Sequence, residues 1–219
     1  MDTRANYHQS VEGLQKELLY MGSLVEQQIN LAVESLAEGD ETKARTTIGQ
    51  DDEVDNMMIK VEEHCLSLIA LQQPMASDLR IISMAQKIAV DLERIGDHAV
   101  DIAKITIRLA GQPLYKPLVR IPQMADIARD MLQESLRAYT ERNVNRAAAL
   151  AERDDEVDKL YSAIMQELIP QMGTDVTASR QMMYLVMVAQ YLERVADHTT
   201  NIGEGVIYMV TGKRKDLNI

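Results

Sequence analysis

Apolar residues recur along the first third of the chain in steps of three and four. Val11, Leu14, Leu18, Met21 and Val25 share one helical face, a spacing that predicts a first helix from about Arg4 to Leu36. Gly39 and Asp40 are expected to end it. Val54, Met58, Val61, Cys65 and Leu68 mark a second helix that stops near Pro74, because proline cannot continue a helix. Ile81, Ala85, Ile88, Leu92, Ile95 and Ala99 mark a third, with Ser77 or Asp78 as its expected N-cap. The result is three long antiparallel rods.

Neither a helical nor a strand pattern persists through Gly111-Gln112-Pro113-Leu114-Tyr115-Lys116-Pro117, with Pro122 shortly after. The stretch reads as a junction, and an internal repeat supports that division. Asp51-Asp52-Glu53-Val54-Asp55 returns as Asp154-Asp155-Glu156-Val157-Asp158, displaced by 103 residues. At the same displacement Met21 matches Met124, Leu24 matches Ile127, Val33 matches Leu136 and Ala44 matches Ala147. Leu92-Glu93-Arg94-Ile95-Gly96-Asp97-His98 returns as Leu192-Glu193-Arg194-Val195-Ala196-Asp197-His198 at a displacement of 100, so the second copy is three residues shorter at the turn from Pro170 to Thr177. The expected fold is all-α: two tandem three-helix bundles, six long helices in all, related by a pseudo-twofold. The boundaries are 1–111 for the first bundle, 112–122 for the junction and 123–219 for the second.

At 46% apolar residues the chain can bury a substantial core. The longest nearly apolar run, Met182 to Leu192, is broken by Gln190 and is too short to span a bilayer as a helix. The single cysteine excludes an internal disulfide and no leader-like segment opens the sequence, so a cytoplasmic location is expected. A formal charge of −11 opposes binding to nucleic acid and favours cations or basic surfaces. Lys213, Arg214 and Lys215 read as a frayed, solubilising terminus. Met is common at 14 residues, and Met-lined helix faces read as adaptable core.

The chemistry concentrates in the repeated acidic pairs. At 100° per residue, Asp51 and Asp55 border the apolar stripe of the second helix together. Glu93, Asp97 and Asp101 form a row stepping by four on the third. Asp154 with Asp158, and Glu193 with Asp197, repeat the arrangement. Like charges at this spacing destabilise a helix by a few tenths of a kcal/mol, roughly, unless a cation or base compensates. If the second and third helices are neighbours, four or more carboxylates converge on one patch. Such an oxygen donor set suits iron, Mn, Mg or Ca rather than structural zinc. The alternative is a solvated acidic face, partly offset by Arg94 and Arg194.

Other sites fail on residue type. A ferritin-like di-iron centre needs Glu-x-x-His, and the residues three before the four histidines are Ala5, Val61, Ile95 and Val195. An EF-hand lacks its glycine, a Cys-rich zinc site lacks its ligands, and no phosphate-cradling loop or nucleophile elbow is present. Cys65 lies on an apolar face and is expected to be inert. His98 and His198, each following an acidic residue, remain secondary candidates for ligation, with packing the more ordinary role. Catalysis is the poorer reading.

The tandem three-helix pattern, with Asp-Asp-Glu-Val-Asp opening the second helix and Leu-Glu-Arg-(Ile/Val)-x-Asp-His in the third, resembles the PhoU family over nearly the whole chain. That resemblance implies multinuclear metal clusters on the bundle surface, one held by Asp51, Asp55, Glu93 and Asp97, the other by Asp154, Asp158, Glu193 and Asp197. Asp101 extends the first row, whereas Asn201 stands at its counterpart with Glu204 three residues on. Asn keeps an oxygen but loses a charge, so weaker cation binding is expected at the second site. The resemblance further implies a cytoplasmic, non-enzymatic, dimeric or oligomeric adaptor. Such proteins restrain the high-affinity phosphate ABC transporter, whose ATPase subunit would be a partner, and keep its sensor histidine kinase from activating phosphate-starvation genes. Two other readings stay open on the residues alone: a metal-dependent hydrolase or redox protein using the same carboxylates, and a helical scaffold without metal.

Overall fold

The computed structural model describes residues 3–173 and 176–217. Eight α-helices follow in order: α1 (Thr3–Glu38), α2 (Glu41–Gly49), α3 (Asp51–Gln72), α4 (Ala76–Leu109), α5 (Arg120–Glu141), α6 (Val144–Ala148), α7 (Leu150–Leu168) and α8 (Val176–Thr211). A 3₁₀ turn, Ile169–Gln171, extends α7. The six long helices are those expected from the apolar periodicity, and no strand occurs among the described residues. None of the helices described is long and apolar enough to cross a membrane.

The two short helices were not expected. Each begins at a side-chain cap: Asp40 accepts from the backbone N–H groups of Thr42 (2.8 Å) and Lys43 (3.1 Å). Asn143, its counterpart 103 residues on, accepts from Asn145 and Arg146, both at 3.1 Å. The helices are too short for apolar periodicity to reveal, but the matched caps carry the signal. The turn before each cap needs a left-handed residue; Gly39 supplies it in the first repeat (φ +66°) and Arg142 in the second (φ +52°).

Another expected cap is displaced. Met75, extended at ψ 167°, precedes α4 and contributes no side-chain bond. Ser77 and Asp78 therefore fall inside the first turn, where Asp78 faces the positive end of the helix dipole. Pro122 lies just inside α5, where the N–H it lacks would have no helical partner. The connection between repeats is pinned by α8: the Gln181 amide donates to the Pro113 carbonyl (3.0 Å) and its oxygen accepts from the Tyr115 N–H. Lys116 and Arg120 both pair with Glu167 of α7. The shortened turn before α8 includes residues outside the described set. Of its described part, Gly173 takes φ +105° and its N–H donates to Ser179 Oγ (2.9 Å).

Within each repeat three long helices pack on one another: α1, α3 and α4 in the first, α5, α7 and α8 in the second. Across the repeats like packs with like, α1 on α5 and α4 along α8. Met84 meets Gly205, Asp91 meets His198 and His98 meets Tyr191, so α4 and α8 run antiparallel. One apolar core runs through both halves, from Leu14 and Leu18 through Leu92 and Ile95 to Leu192 and Val195. Met21, Met84, Met124, Met131, Met182 and Met209 are buried within it, in agreement with their reading as core. Helices α3 and α7 occupy the outer flanks.

The C-terminal tail departs from expectation, whereas Cys65 lies on the apolar face expected of it. The Lys213–Lys215 segment is not frayed: Leu217 is buried and its N–H donates to Glu204 (2.9 Å), tying the tail back onto α8. Cys65 is fully buried, donates to the Ile82 carbonyl (3.6 Å), and burial pushes its thiol up to about 11. A disulfide-exchange reagent is accordingly expected to leave it unmodified in the native protein and to react once the protein is unfolded in guanidinium. Rapid modification of the native protein would show that the α3–α4 seam opens.

Candidate functional site

The acidic residues of the first repeat stand at the α3–α4 seam on the outer flank. Asp51 opens α3, where the unpaired N–H groups and dipole of the helix start favour negative charge. Burial nevertheless raises its pKa, reinforced by Asp55 and Asp97 and opposed by Lys104. Glu93 is raised by burial and then by Asp97, with Asp55 and Asp51 adding to it. Asp51, Asp55, Glu93 and Asp97 therefore act electrostatically as one group. Arg94 offsets part of that charge, with Nε 3.4 Å from Glu93 and Nη1 3.0 Å from Asp97.

Asp101 is drawn elsewhere. It pairs with Lys104 at 3.2 Å and acts on His98 and Tyr191, without contributing to the shifts of Asp51 or Glu93. Its place in the helical row is as expected, and its charge is met by Lys104 one turn further along α4.

The second group lies at the α7–α8 seam and is more deeply set. Asp154 is only 8% exposed. Burial, followed by Asp197, Asp158 and Glu193, pushes its carboxyl up to about 7. Glu193 and Asp197 are also raised, chiefly by burial and then by neighbouring carboxylates, while Arg194 opposes both shifts. Asp154 differs from Asp51 in helical position: α7 begins at Leu150, so Asp154 sits a turn inside the helix, beyond the free N–H groups that Asp51 enjoys. The contrast between Asp101 and Asn201 is thus not the main asymmetry between the groups. Burial of Asp154 is. Glu204 does not compensate for Asn201, since it is engaged with the C-terminal tail.

Between the two groups α4 crosses α8. The rings of His98 and His198 lie 5.8 Å apart, and His98 stacks on Tyr191 at 5.6 Å. His198 Nδ1 lies 3.0 Å from the buried Asp91 carboxylate. Burial, then His198 and Arg194, pushes His98 down to about 4, which keeps it neutral at pH 7. Both histidines thus serve the packing seam. Asp91 and Tyr191 occupy equivalent positions in the repeats, 100 residues apart, and their partnership with the histidines was not foreseen. The mismatch of an acid with an aromatic ring at equivalent positions was the available signal.

Among the described residues, no three His, Cys, Asp or Glu side chains stand close enough together to hold a metal ion as arranged here. The donor chemistry of each group still fits a hard cation: carboxylate oxygens from two helices, partly desolvated and mutually repelling.

The PhoU domain model matches residues 18–106 and again 121–206. The chain belongs to the PhoU family. A Clostridium acetobutylicum relative, a phosphate-specific transport system accessory protein PhoU homolog, is 44% identical across 99% of each chain. The crystal structure of PhoU from Pseudomonas aeruginosa superposes with a TM-score of 0.90 at 34% identity, covering 94% of this chain and all of that one. The crystal structure of the phosphate transport system regulatory protein PhoU from Streptococcus pneumoniae gives 0.88 at 29% identity, covering 96% and 99%. Each PhoU domain match includes one of the acidic helix pairs, α3 with α4 in the first and α7 with α8 in the second.

Proposed function

We propose that this PhoU-family chain is a cytoplasmic, non-catalytic accessory protein of phosphate transport. In this reading it restrains a phosphate ABC transporter when phosphate is plentiful and keeps the associated sensor histidine kinase inactive. Support for the transport role comes from relatives of nearly full length named for that system. The acidic seams supply its physical basis. Asp51 and Asp55 on α3 with Glu93 and Asp97 on α4 would hold one hard cation site, and Asp154, Asp158, Glu193 and Asp197 the other. Iron, Mn, Mg or Ca there would supply positive charge that relieves the repulsion raising these pKa values. Because α3 and α7 form the outer flanks, the same patches are open to basic surfaces of a partner subunit or of a second copy. The observation that carries the reading is the desolvation of like charges at equivalent seams, an arrangement that calls for compensation from outside the chain.

The test is a variant with Asp51, Asp55 and Asp97 changed to Asn and Glu93 to Gln, placed in a bacterium lacking its own PhoU. A phosphate-starvation reporter is expected to stay active at high phosphate, while circular dichroism shows unchanged helicity. Full repression by that variant would remove the patch from the mechanism. Metal content measured on wild type and variant is expected to differ by the cations of the first seam.

A further inference from the structure

Among the described residues, eleven of the lysines and arginines pair with a carboxylate, Lys43, Lys60, Arg94, Lys104, Arg129, Arg137, Arg146 and Arg153 among them. Four others cluster at one end of the α4–α8 contact. Arg80, Lys87, Arg214 and Lys215 gather there, and among the described residues none of them forms an ion pair. Lys87, Arg214 and Lys215 line a cavity of about 360 Å³ between α4, the last turns of α8 and the returning C-terminal tail. Arg80 lies against Gly212 at the end of α8, and its Nε is buried without a hydrogen-bond partner.

The tail is built to hold those charges in place. Leu217 is buried beside Gly203, with its N–H on Glu204. Thr211 Oγ1 accepts from the Lys213 N–H at 3.1 Å, and the Arg214 guanidinium lies 5.7 Å from the centre of the Tyr208 ring. The backbone that carries Arg214 and Lys215 is thus anchored on both sides, with the two side chains exposed at the cavity mouth.

The cavity wall is not purely basic. Ser83 contributes a hydroxyl, and Glu204 and Asp216 contribute carboxylates. A bare polyanion would meet those two acids at close range, whereas a ligand with hydroxyl groups could donate to them. The volume lies within the ~300–1,000 Å³ range of small-molecule sites. We propose that this cavity binds a phosphorylated small molecule bearing free hydroxyls, of the nucleotide or sugar-phosphate class. Its phosphoryl oxygens sit on Lys87, Arg214 and Lys215, and its hydroxyls face Glu204 and Asp216.

Isothermal titration of the full chain in EDTA, with ATP, glucose 6-phosphate and inorganic phosphate as separate ligands, tests this. At least one ester is expected to bind saturably, about tenfold or more tighter than inorganic phosphate. Which ester binds distinguishes a nucleotide from a sugar phosphate. Changing Lys87 and Arg214 together to Gln, both on exposed positions, is expected to weaken that binding at least tenfold with helicity unchanged. A variant with Asp51→Asn and Asp55→Asn is expected to bind the ester as the wild type does, so loss of the proposed cation site would leave this result intact. The proposal is overturned by absence of saturable binding of either ester below about 5 mM. Inorganic phosphate binding as tightly as the esters, or ester binding indifferent to the Lys87 and Arg214 changes, would overturn it equally.

Discussion

Raising the pH from about 5 to about 8 in EDTA is expected to lower the melting temperature, and Asp154→Asn is expected to reverse much of that loss at the upper pH. The sign follows from proton counting. Asp154 ordinarily titrates near 3.8 and in the fold near 7. Between those values the native state binds the proton and the unfolded chain does not, so stability falls as pH rises through that window and levels off above it. At ~1.4 kcal/mol per tenfold change in affinity, a shift of this size in a residue 8% exposed is worth roughly 2–4 kcal/mol. For a chain of this length that is about 5–10 °C. Asp51, Glu93, Glu193 and Asp197 are displaced in the same direction and add to the slope. Millimolar Mn²⁺ or Mg²⁺ is expected to flatten the profile of the wild type more than that of Asp154→Asn. A melting temperature that rises from acid to alkaline pH in EDTA would show that burial does not govern this carboxyl.

The second large effect is expected at Gly203. A Cβ there would lie 2.7 Å from Leu150 Cδ1 and 3.1 Å from the Ala147 carbonyl oxygen. The side chain could rotate aside, but the carbonyl belongs to the backbone of α6 and cannot move without shifting that helix. Gly203→Val is therefore expected to destabilise the protein by about 2–3 kcal/mol, or about 5–10 °C, measured by urea and thermal unfolding. Gly13→Ala provides the contrast. It sits within α1, its Cβ would meet only His64 Cε1 at 3.4 Å, and a stabilisation of about 0.5–1 kcal/mol is expected. If Gly203→Val were as stable as the wild type, the close approach of α6 to α8 would not hold in solution. In the first repeat the matching position is Ala103, which is fully buried, so the same approach there accommodates a methyl group.

Both predictions concern positions whose residue type is visible in the sequence but whose environment is not. Asp51 and Asp154 are matched residues in a repeated motif, and nothing local distinguishes them. The difference arises because α3 starts at Asp51 while α7 starts at Leu150, and because the second seam closes more tightly over its carboxylate. Likewise, Gly96 and Ala196 occupy equivalent places in the third helix of each repeat, yet only the fold shows that Gly96 packs against the fully buried Gln28 amide. Asp101 continues an acidic row by helical spacing, but the position of Lys104 one turn later takes it out of the group.

The sequence alone determined the six long helices, because a buried helix face must repeat at a period of 3.6. It also determined the internal duplication and the identity of the acidic pairs. Even the two short helices carry a local mark in their capping residues, Asp40 and Asn143. The tertiary structure decided what depends on distance between segments remote in the chain. It placed α3 and α7 outside and α4 against α8, put His98 and His198 into that seam, and folded the C-terminal bases back over a cavity. The physical reason is one of range. Periodicity and capping act within a turn or two of chain, whereas burial and charge coupling are set by whichever elements pack nearby.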